Sequence, residues 1–368
     1  MNNIANPKIK ILFVAPSLDA GGAEKFLLDL IANLNKQEFA IKLVLFSHAG
    51  FFVDKIAPHV EVKIIKKRFK IDLLNFCRLY YFIKKNKPDI IHTQLGGDVY
   101  GRLIAKMIGV RTVVSTEVGI NENESFPMRL IKIFAARFAT RIVGVSEAVC
   151  RDVVKRYLVA AERVSVIYNG LDVARFSSVA KKNKISEKII FGGLGRLAPE
   201  KNWPTLLRAI AIMKNKNIEC LIGGSGEMES ELKTLVLDLG LKKQVIFLGL
   251  VSDVPAFMSR LDFFVLPSQR EAFGIVLIEA GALGLPVIAA AVGGIVEVIK
   301  DNETGFLFNP RSTADLAEKL DYVVDNIASA EIKNLGLNLQ NFVRDNFDIK
   351  SIAVKYENLY KELHGRKD

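Results

Sequence analysis

The run from Leu261 to Phe308, LDFFVLPSQREAFGIVLIEAGALGLPVIAAAVGGIVEVIKDNETGFLF, constrains the fold more than any other part of the chain. Leu261–Leu266 is short, continuously apolar and aromatic-rich, as a strand covered on both faces must be, and Pro267 ends it. A helix is predicted to open near Gly274 and to stop before Gly284, with Pro286 just beyond as a stop signal. A second apolar strand and the pair Gly293-Gly294 follow. Strand, loop, helix, strand is the βαβ unit of a parallel sheet.

This unit also carries candidate chemistry. Glu271 falls in the loop, and Glu279 lies five residues into the helix from Gly274, roughly 7.5 Å of rise. The amides of Gly274 and Ile275, at the positive end of the helix, suit a ligand phosphate and leave a sugar hydroxyl within reach of either carboxylate. A plainer reading exists for each acid. Glu271 would complement the helix dipole in the first turn. Glu279 sits among Val276, Leu277, Ile278, Ala280, Ala282 and Leu283, so its carboxylate needs a partner, either a ligand hydroxyl or a neighbouring protein group.

The same alternation of strand and helix runs through all 368 residues, half of them hydrophobic, enough for two cores. In the first half the strands are KIKILFVAPS, AIKLVLFS, VEVKII, DIIHTQ, RTVVSTEVG, RIVGVSEAV and VSVIYN, forming a doubly wound sheet. Gly21 and Gly22 lie in the loop after the first strand; as a dinucleotide fingerprint they are incomplete, but they let a ligand approach the first helix. His92 is expected at the end of DIIHTQ, where open α/β sheets place their ligands. Ser146 is either a site residue or a helix cap.

The polar, basic stretch Ser177–Lys188 reads as the linker. After it, KIIFGGLGRLAPEKN sets Arg196 and Lys201 on the loop behind the first strand of a second α/β domain, a fork and a point charge suited to a diphosphate. Helices fill the end of the chain.

Composition narrows the partners. Cys77, Cys150 and Cys220 are dispersed, four histidines form no cluster, and no Asp-x-Asp occurs, so neither a disulfide framework nor a metal site is expected. The uncharged stretch from Ala280 to Val296 contains four glycines and Pro286 and is short for a bilayer. Residues 1–180 hold 27 Lys and Arg against 16 Asp and Glu, which accounts for the whole net charge of +11. No nucleic-acid motif accompanies this excess. An anionic membrane surface is the alternative partner, through Lys66, Lys67, Arg68 and Lys70 with the amphipathic run Ile71–Ile83, or through Arg129–Arg141. The plainer reading makes both of them packed helices with solvated basic faces.

Gly195–Lys201 and Pro267–Gly305, including Glu271-x7-Glu279, the Gly-Leu-Pro-Val turn and Gly293-Gly294 with Glu297, together resemble the nucleotide-sugar-dependent glycosyltransferases of group 1, or family 4. The likeness covers nearly the whole chain. It implies a GT-B fold: two Rossmann-like domains facing across a cleft, residues 1–180 on the acceptor side and 186–345 on the donor side, with a helix over 346–368 packing back on the first domain.

It further implies that Arg196 and Lys201 bind the diphosphate, Glu279 the ribose, Glu271 the transferred sugar, and Gly274 and Ile275 a phosphate, while Gly21 and Gly22 close on the donor. Val118 stands where relatives often carry histidine, whose role is then either lost or taken by His92 or Glu117. The activity implied is retaining, metal-independent transfer of a hexose or N-acetylhexosamine from a UDP- or GDP-linked donor to a glycan acceptor, lipid-linked in this reading. The substrate is the nucleotide sugar and no cofactor is needed; the setting is cytoplasmic, peripheral on the inner membrane face. An epimerase of the same fold and a non-catalytic nucleotide-sugar-binding subunit are the alternatives.

Overall fold

The computed structural model describes residues 7–69, 72–120, 125–177, 179 and 188–365. The chain divides into two compact units, Met1–Gly170 with Ile349–Asp368, and Leu171–Asp348.

The first unit is built on β1 (Ile9–Ala15), β2 (Phe39–Leu45), β3 (Glu61–Ile64), β4 (Ile90–Gln94), β5 (Thr112–Glu117), β6 (Arg141–Gly144) and β7 (Val164–Val166), all parallel, in the order β3-β2-β1-β4-β5-β6-β7. Its crossovers are α1 (Gly22–Asn33), α2 (Leu73–Asn86), α3 (Asp98–Ile108), α4 (Phe126–Ala136) and α5 (Glu147–Tyr157). Strands buried on both faces show no polar alternation: every residue of β4 and β5 is buried, His92 and Glu117 included. Leu12, Val14, Ile91 and Val113 pack on one face against Leu79 and Ile83 of α2 and Ile104 and Ala105 of α3.

The second unit alternates α6 (Val173–Ser177), β8 (Ile189–Leu194), α7 (Trp203–Ile212), β9 (Ile218–Gly223), α8 (Glu229–Asp238), β10 (Val245–Gly249), α9 (Val254–Met258), β11 (Phe263–Leu266), α10 (Ile275–Ala282), β12 (Val287–Ala290), α11 (Ile295–Val298), β13 (Phe306–Phe308), α12 (Thr313–Asp325) and α13 (Ala330–Phe347). Its six parallel strands run β10-β9-β8-β11-β12-β13. The order reverses at β8 and β11, the position where such sheets open a crevice beyond the strand ends. Trp203, fully buried, anchors α7, and its indole N–H donates to the Arg196 carbonyl at 2.9 Å. The last helix, α14 (Ile349–Gly365), belongs to the first unit, where it packs on α1 and buries Tyr356 and Tyr360.

The division falls between Gly170 and Leu171, ahead of the expected linker, most of which (178 and 180–187) lies outside the described residues. Leu171 bridges to Asp348, and its N–H donates to the Phe347 carbonyl at 2.8 Å, so the chain enters the second unit and leaves it at adjacent points. Polarity marks a solvated segment, whereas the crossing is set by this pairing. The apolar stretch from Ala280 to Val296 is the end of α10, a turn, β12 and the start of α11, and among the described residues no helix is long and apolar enough to cross a membrane.

Candidate functional site

The site of the second unit forms where β8 and β11 end side by side. Behind β8, the loop from Gly195 is held against the loop behind β9: Gly195 N–H donates to the Gly223 carbonyl at 3.0 Å and Leu197 N–H to the Ser225 carbonyl at 2.9 Å. A single helical turn, Pro199–Lys201, follows. Behind β11, Gln269 N–H donates to the Glu200 carbonyl at 2.9 Å, so the two loops are tied to each other.

This tie brings together residues seventy positions apart. The Lys201 ammonium lies 2.5 Å from Glu271 Oε2, which also accepts from Ser268 Oγ at 3.3 Å. Both ends of the ion pair are largely shielded, with side chains 19% and 15% exposed. Arg196 pairs instead with Glu200, four residues on, and stands 70% exposed. Burial opposes ionisation of Glu200, but its own N–H, Arg196 and Lys201 together hold its carboxyl below the usual range.

Two glycines fix the Glu271 loop. Gly274, at φ 88°, caps α10 in the left-handed region, a conformation that lets the chain reverse into the helix without a Cβ penalty. Gly293, at φ 51°, lies beneath Glu271 so closely that a Cβ there would come within 2.0 Å of the Glu271 carbonyl oxygen; Gly294 N–H donates to that oxygen at 3.0 Å. The start of α10, with Gly274 and Ile275, is therefore set directly behind the Lys201–Glu271 pair. Glu279 follows one turn on, 4% exposed. Six of the expected residues, Arg196, Lys201, Glu271, Gly274, Ile275 and Glu279, thus share one sheet edge.

The remaining three belong to the first unit. Gly22 opens α1 and Gly21 is its cap, in ordinary extended conformation, φ −154°, with the Glu24 carboxylate beside it; burial raises the pKa of that carboxyl. His92 is not at a strand end. It sits mid-strand, paired with Phe13 on β1 and Val114 on β5, and is completely buried. Its Nδ1 bonds the Tyr360 hydroxyl at 2.5 Å, its Nε2 the Thr116 hydroxyl at 2.8 Å, and its ring stacks on Phe13 at 4.8 Å. Burial drives its pKa to about 3. A neutral imidazole locked beneath α14 is a core residue, and the expectation of a catalytic His92 is corrected on that ground.

Glu117 is also committed elsewhere: its carboxylate takes the Arg102 guanidinium at 2.8 Å, Arg102 Nε donates to Ser115 Oγ at 2.9 Å, and Asp98 lies 3.6 Å from the same arginine. Burial, then the nearby Asp98, raises the pKa of Glu117. Ser146 is a helix cap, accepting from Val149 N–H at 3.1 Å. Sequence reasoning did not single out Glu200 or Ser268, although the position of Glu200 between Arg196 and Lys201 was a usable signal.

Two family models divide the chain between them. Residues 20–175 match the one described as Glycosyltransferase Family 4, and residues 175–335 the one described as Glycosyl transferases group 1. The chain belongs to the group 1, family 4 glycosyltransferases.

Among curated relatives, this glycosyltransferase is 27% identical to the UDP-Gal:α-D-GlcNAc-diphosphoundecaprenol α-1,3-galactosyltransferase of Escherichia coli, over 97% of each chain. It is 29% identical, over 96% of its length and 99% of the relative's, to a Campylobacter jejuni α-1,4-N-acetyl-D-galactosaminyltransferase named for a diNAcBac-PP-undecaprenol-linked acceptor. Among solved structures, Anabaena HepE in complex with UDP-glucose superposes with a TM-score of 0.83 at 25% identity, covering 96% of this chain and all of that one. The architecture is GT-B.

Proposed function

We propose that this glycosyltransferase moves a hexose or N-acetylhexosamine from a UDP-linked donor, with retention of configuration, to a hydroxyl of a lipid-linked glycan acceptor in surface polysaccharide synthesis at the cytoplasmic face of the membrane. The observation that carries the reading is the Lys201–Glu271 pair at 2.5 Å, set at the start of α10. It is supported by the UDP-glucose in the HepE complex and by the undecaprenol-linked acceptors for which the two curated relatives are named.

Each cation rests on a carboxylate, Lys201 on Glu271 and Arg196 on Glu200. A diphosphate exchanges these partners. It takes Lys201 and Arg196 in charge-assisted bonds, with the amides of Gly274 and Ile275 at the positive end of α10, and leaves Glu271 free to bond the transferred sugar. Glu279, one turn along the same helix, takes the ribose hydroxyls. As the glycosidic bond breaks, charge builds on the departing diphosphate, and these fixed positive groups stabilise it, the role that a carboxylate-held metal plays in enzymes with Asp-x-Asp.

A thermal-shift panel of UDP, GDP and ADP on wild type, Lys201→Ala and Glu279→Gln tests the donor site. A nucleotide at about 100 times its Kd adds roughly 2.7 kcal/mol of stability. UDP is expected to stabilise wild type, and to stabilise each variant far less at the same concentration. A panel in which no nucleotide shifts wild type, or all shift Lys201→Ala equally, removes the site from the donor. The anomeric configuration of the product, read by NMR against that of the donor, tests retention.

A further inference from the structure

A cavity of about 610 Å³, a volume that small organic ligands fill, opens at the amino edge of the first unit's sheet. The end of α2, the lead into β4, the turn from α3 into β5 and the end of α14 form its walls. It therefore lies at the opposite edge of the sheet from the loop that carries Gly21 and Gly22. Helices of both faces meet there: α2 and α3 pack on the side of Leu12 and Ile91, whereas α14 lies on the other, over His92.

The lining combines an apolar interior with a cationic mouth. Ile83, Pro88 and Leu363 are buried, while Lys84, Lys87, Arg111 and His364 are exposed. The one carboxylate among the described lining residues, that of Asp89, accepts from the Lys10 N–H at 2.8 Å. Lys84 stands over the Tyr80 ring, 5.7 Å from its centre. Lys87, Arg111 and His364 pair with no carboxylate among the described residues.

A plainer account sets these cations against the negative ends of the helices. It serves Lys84, in the last turn of α2. It does not serve Arg111, which lies two residues past the cap of α3, where the Ala105 carbonyl already accepts from the N–H groups of Gly109 and Val110. Lys87 departs further. It caps α2 at φ 45°, in the left-handed region where a Cβ is penalised, whereas the cap of α3 in the same cavity is Gly109, at φ 79°. A lysine stands where glycine would relieve the backbone.

We propose that this cavity binds a soluble phosphate monoester with an apolar or aromatic body, its phosphate taken by Arg111 and Lys87 and its body by Ile83 and Leu363. A guanidinium fork beside an ammonium suits a phosphate dianion, and the buried lining gives the body a place out of water. The inference goes beyond the transferase reading, and its test does not use turnover, so either can fail without the other.

Saturation-transfer NMR on the full chain, with phenyl phosphate as the probe, decides it. Wild type is expected to bind the probe, and inorganic phosphate to displace it only at roughly ten-fold higher concentration, because phosphate alone gains nothing from the apolar lining. Arg111→Gln should weaken binding about ten-fold, the loss of a charge-assisted contact. Lys87→Gly should weaken it about three-fold while leaving the melting temperature unchanged or raised, since glycine suits the cap. Lys233→Gln, an exposed cation on α8, should match wild type, and Lys201→Ala should keep the binding, which sets it apart from the donor site. No transfer to wild type, or binding unchanged in both Arg111→Gln and Lys87→Gly, overturns the proposal. So does loss of binding in Lys201→Ala, a loss in Lys233→Gln as large as that in Arg111→Gln, or displacement by phosphate as effective as by phenyl phosphate itself.

Discussion

Both units fold from the same plan. The strand order β3-β2-β1-β4-β5-β6 of the first and β10-β9-β8-β11-β12-β13 of the second are one topology, and each reverses beside its first strand. What they do with charged residues near that reversal differs. In the second unit Arg196, Lys201 and Glu271 stand past the last paired residues of β8 and β11, partly open to water, and each cation rests on a carboxylate that a ligand can replace. In the first unit Arg102, Asp98, Glu117 and His92 are enclosed between sheet and helix, Arg102 facing both carboxylates and His92 bonded to two hydroxyls. A shared fold therefore does not give two equivalent sites. The deciding difference is whether a charged group leaves the ladder before it meets a neighbour.

The comparison breaks most visibly at Arg102. Removing the guanidinium strands two buried carboxylates, and breaking a buried pair in this way costs about 3–5 kcal/mol. Arg102→Met should lower the urea stability of the protein by an amount in that range, read by circular dichroism. Glu117→Gln added to it should recover part of the loss, because one uncompensated charge disappears. A loss below about 1 kcal/mol would show that the rim of the first unit is not held by this network.

His92 sharpens the contrast through pH. Its folded pKa of about 3 lies below the usual 6.5, so between those values the unfolded chain binds a proton that the folded one refuses. Stability is therefore fully present above pH 6.5 and is lost as pH falls through the window, by at most about 1.4 kcal/mol per pH unit. His92→Gln keeps a hydrogen-bonding side chain but cannot titrate. Its stability between pH 6 and 4 is expected to fall less steeply than that of wild type, by close to one proton. Parallel curves would mean that His92 titrates normally and is not sealed under α14.

These same residues show what the sequence makes legible. The βαβ unit around Glu271 was readable because its boundaries are chemical: an aromatic strand, a proline, a glycine on either side of a helix. Observed β11 and α10 start and stop within two residues of those marks. His92 was misplaced because a strand buried on both faces has no alternation, and period two alone cannot say whether a polar side chain points at a helix or along the strand into solvent. Pairings were not legible either. Nothing local joins Lys201 to Glu271, and the bond depends on Gln269 meeting the Glu200 carbonyl. The Arg102 network carried a local hint, Asp98 and Arg102 four apart on one helix, but its third member arrives from the next strand. Gly293 was marked as part of a pattern, while its reason, contact with the Glu271 backbone, exists only in three dimensions.

Arg196 gives the smallest effect and the closest test of the contrast. Like Arg102 it pairs with a carboxylate four residues away in the chain, yet its side chain is 70% exposed where that of Arg102 is fully buried. Exposed pairs contribute about 0–1 kcal/mol, so Arg196→Ala, measured without added nucleotide, should change the stability of the protein by less than about 0.5 kcal/mol. Donor binding should respond separately, because a charge-assisted bond to phosphate contributes about 1.5–3 kcal/mol. UDP affinity, measured by calorimetry, is expected to drop roughly ten-fold or more. A large loss of stability with unchanged affinity would place Arg196 beside Arg102 as a structural cation. The opposite result, affinity lost and stability kept, separates an arginine that holds the fold from one that the fold leaves available.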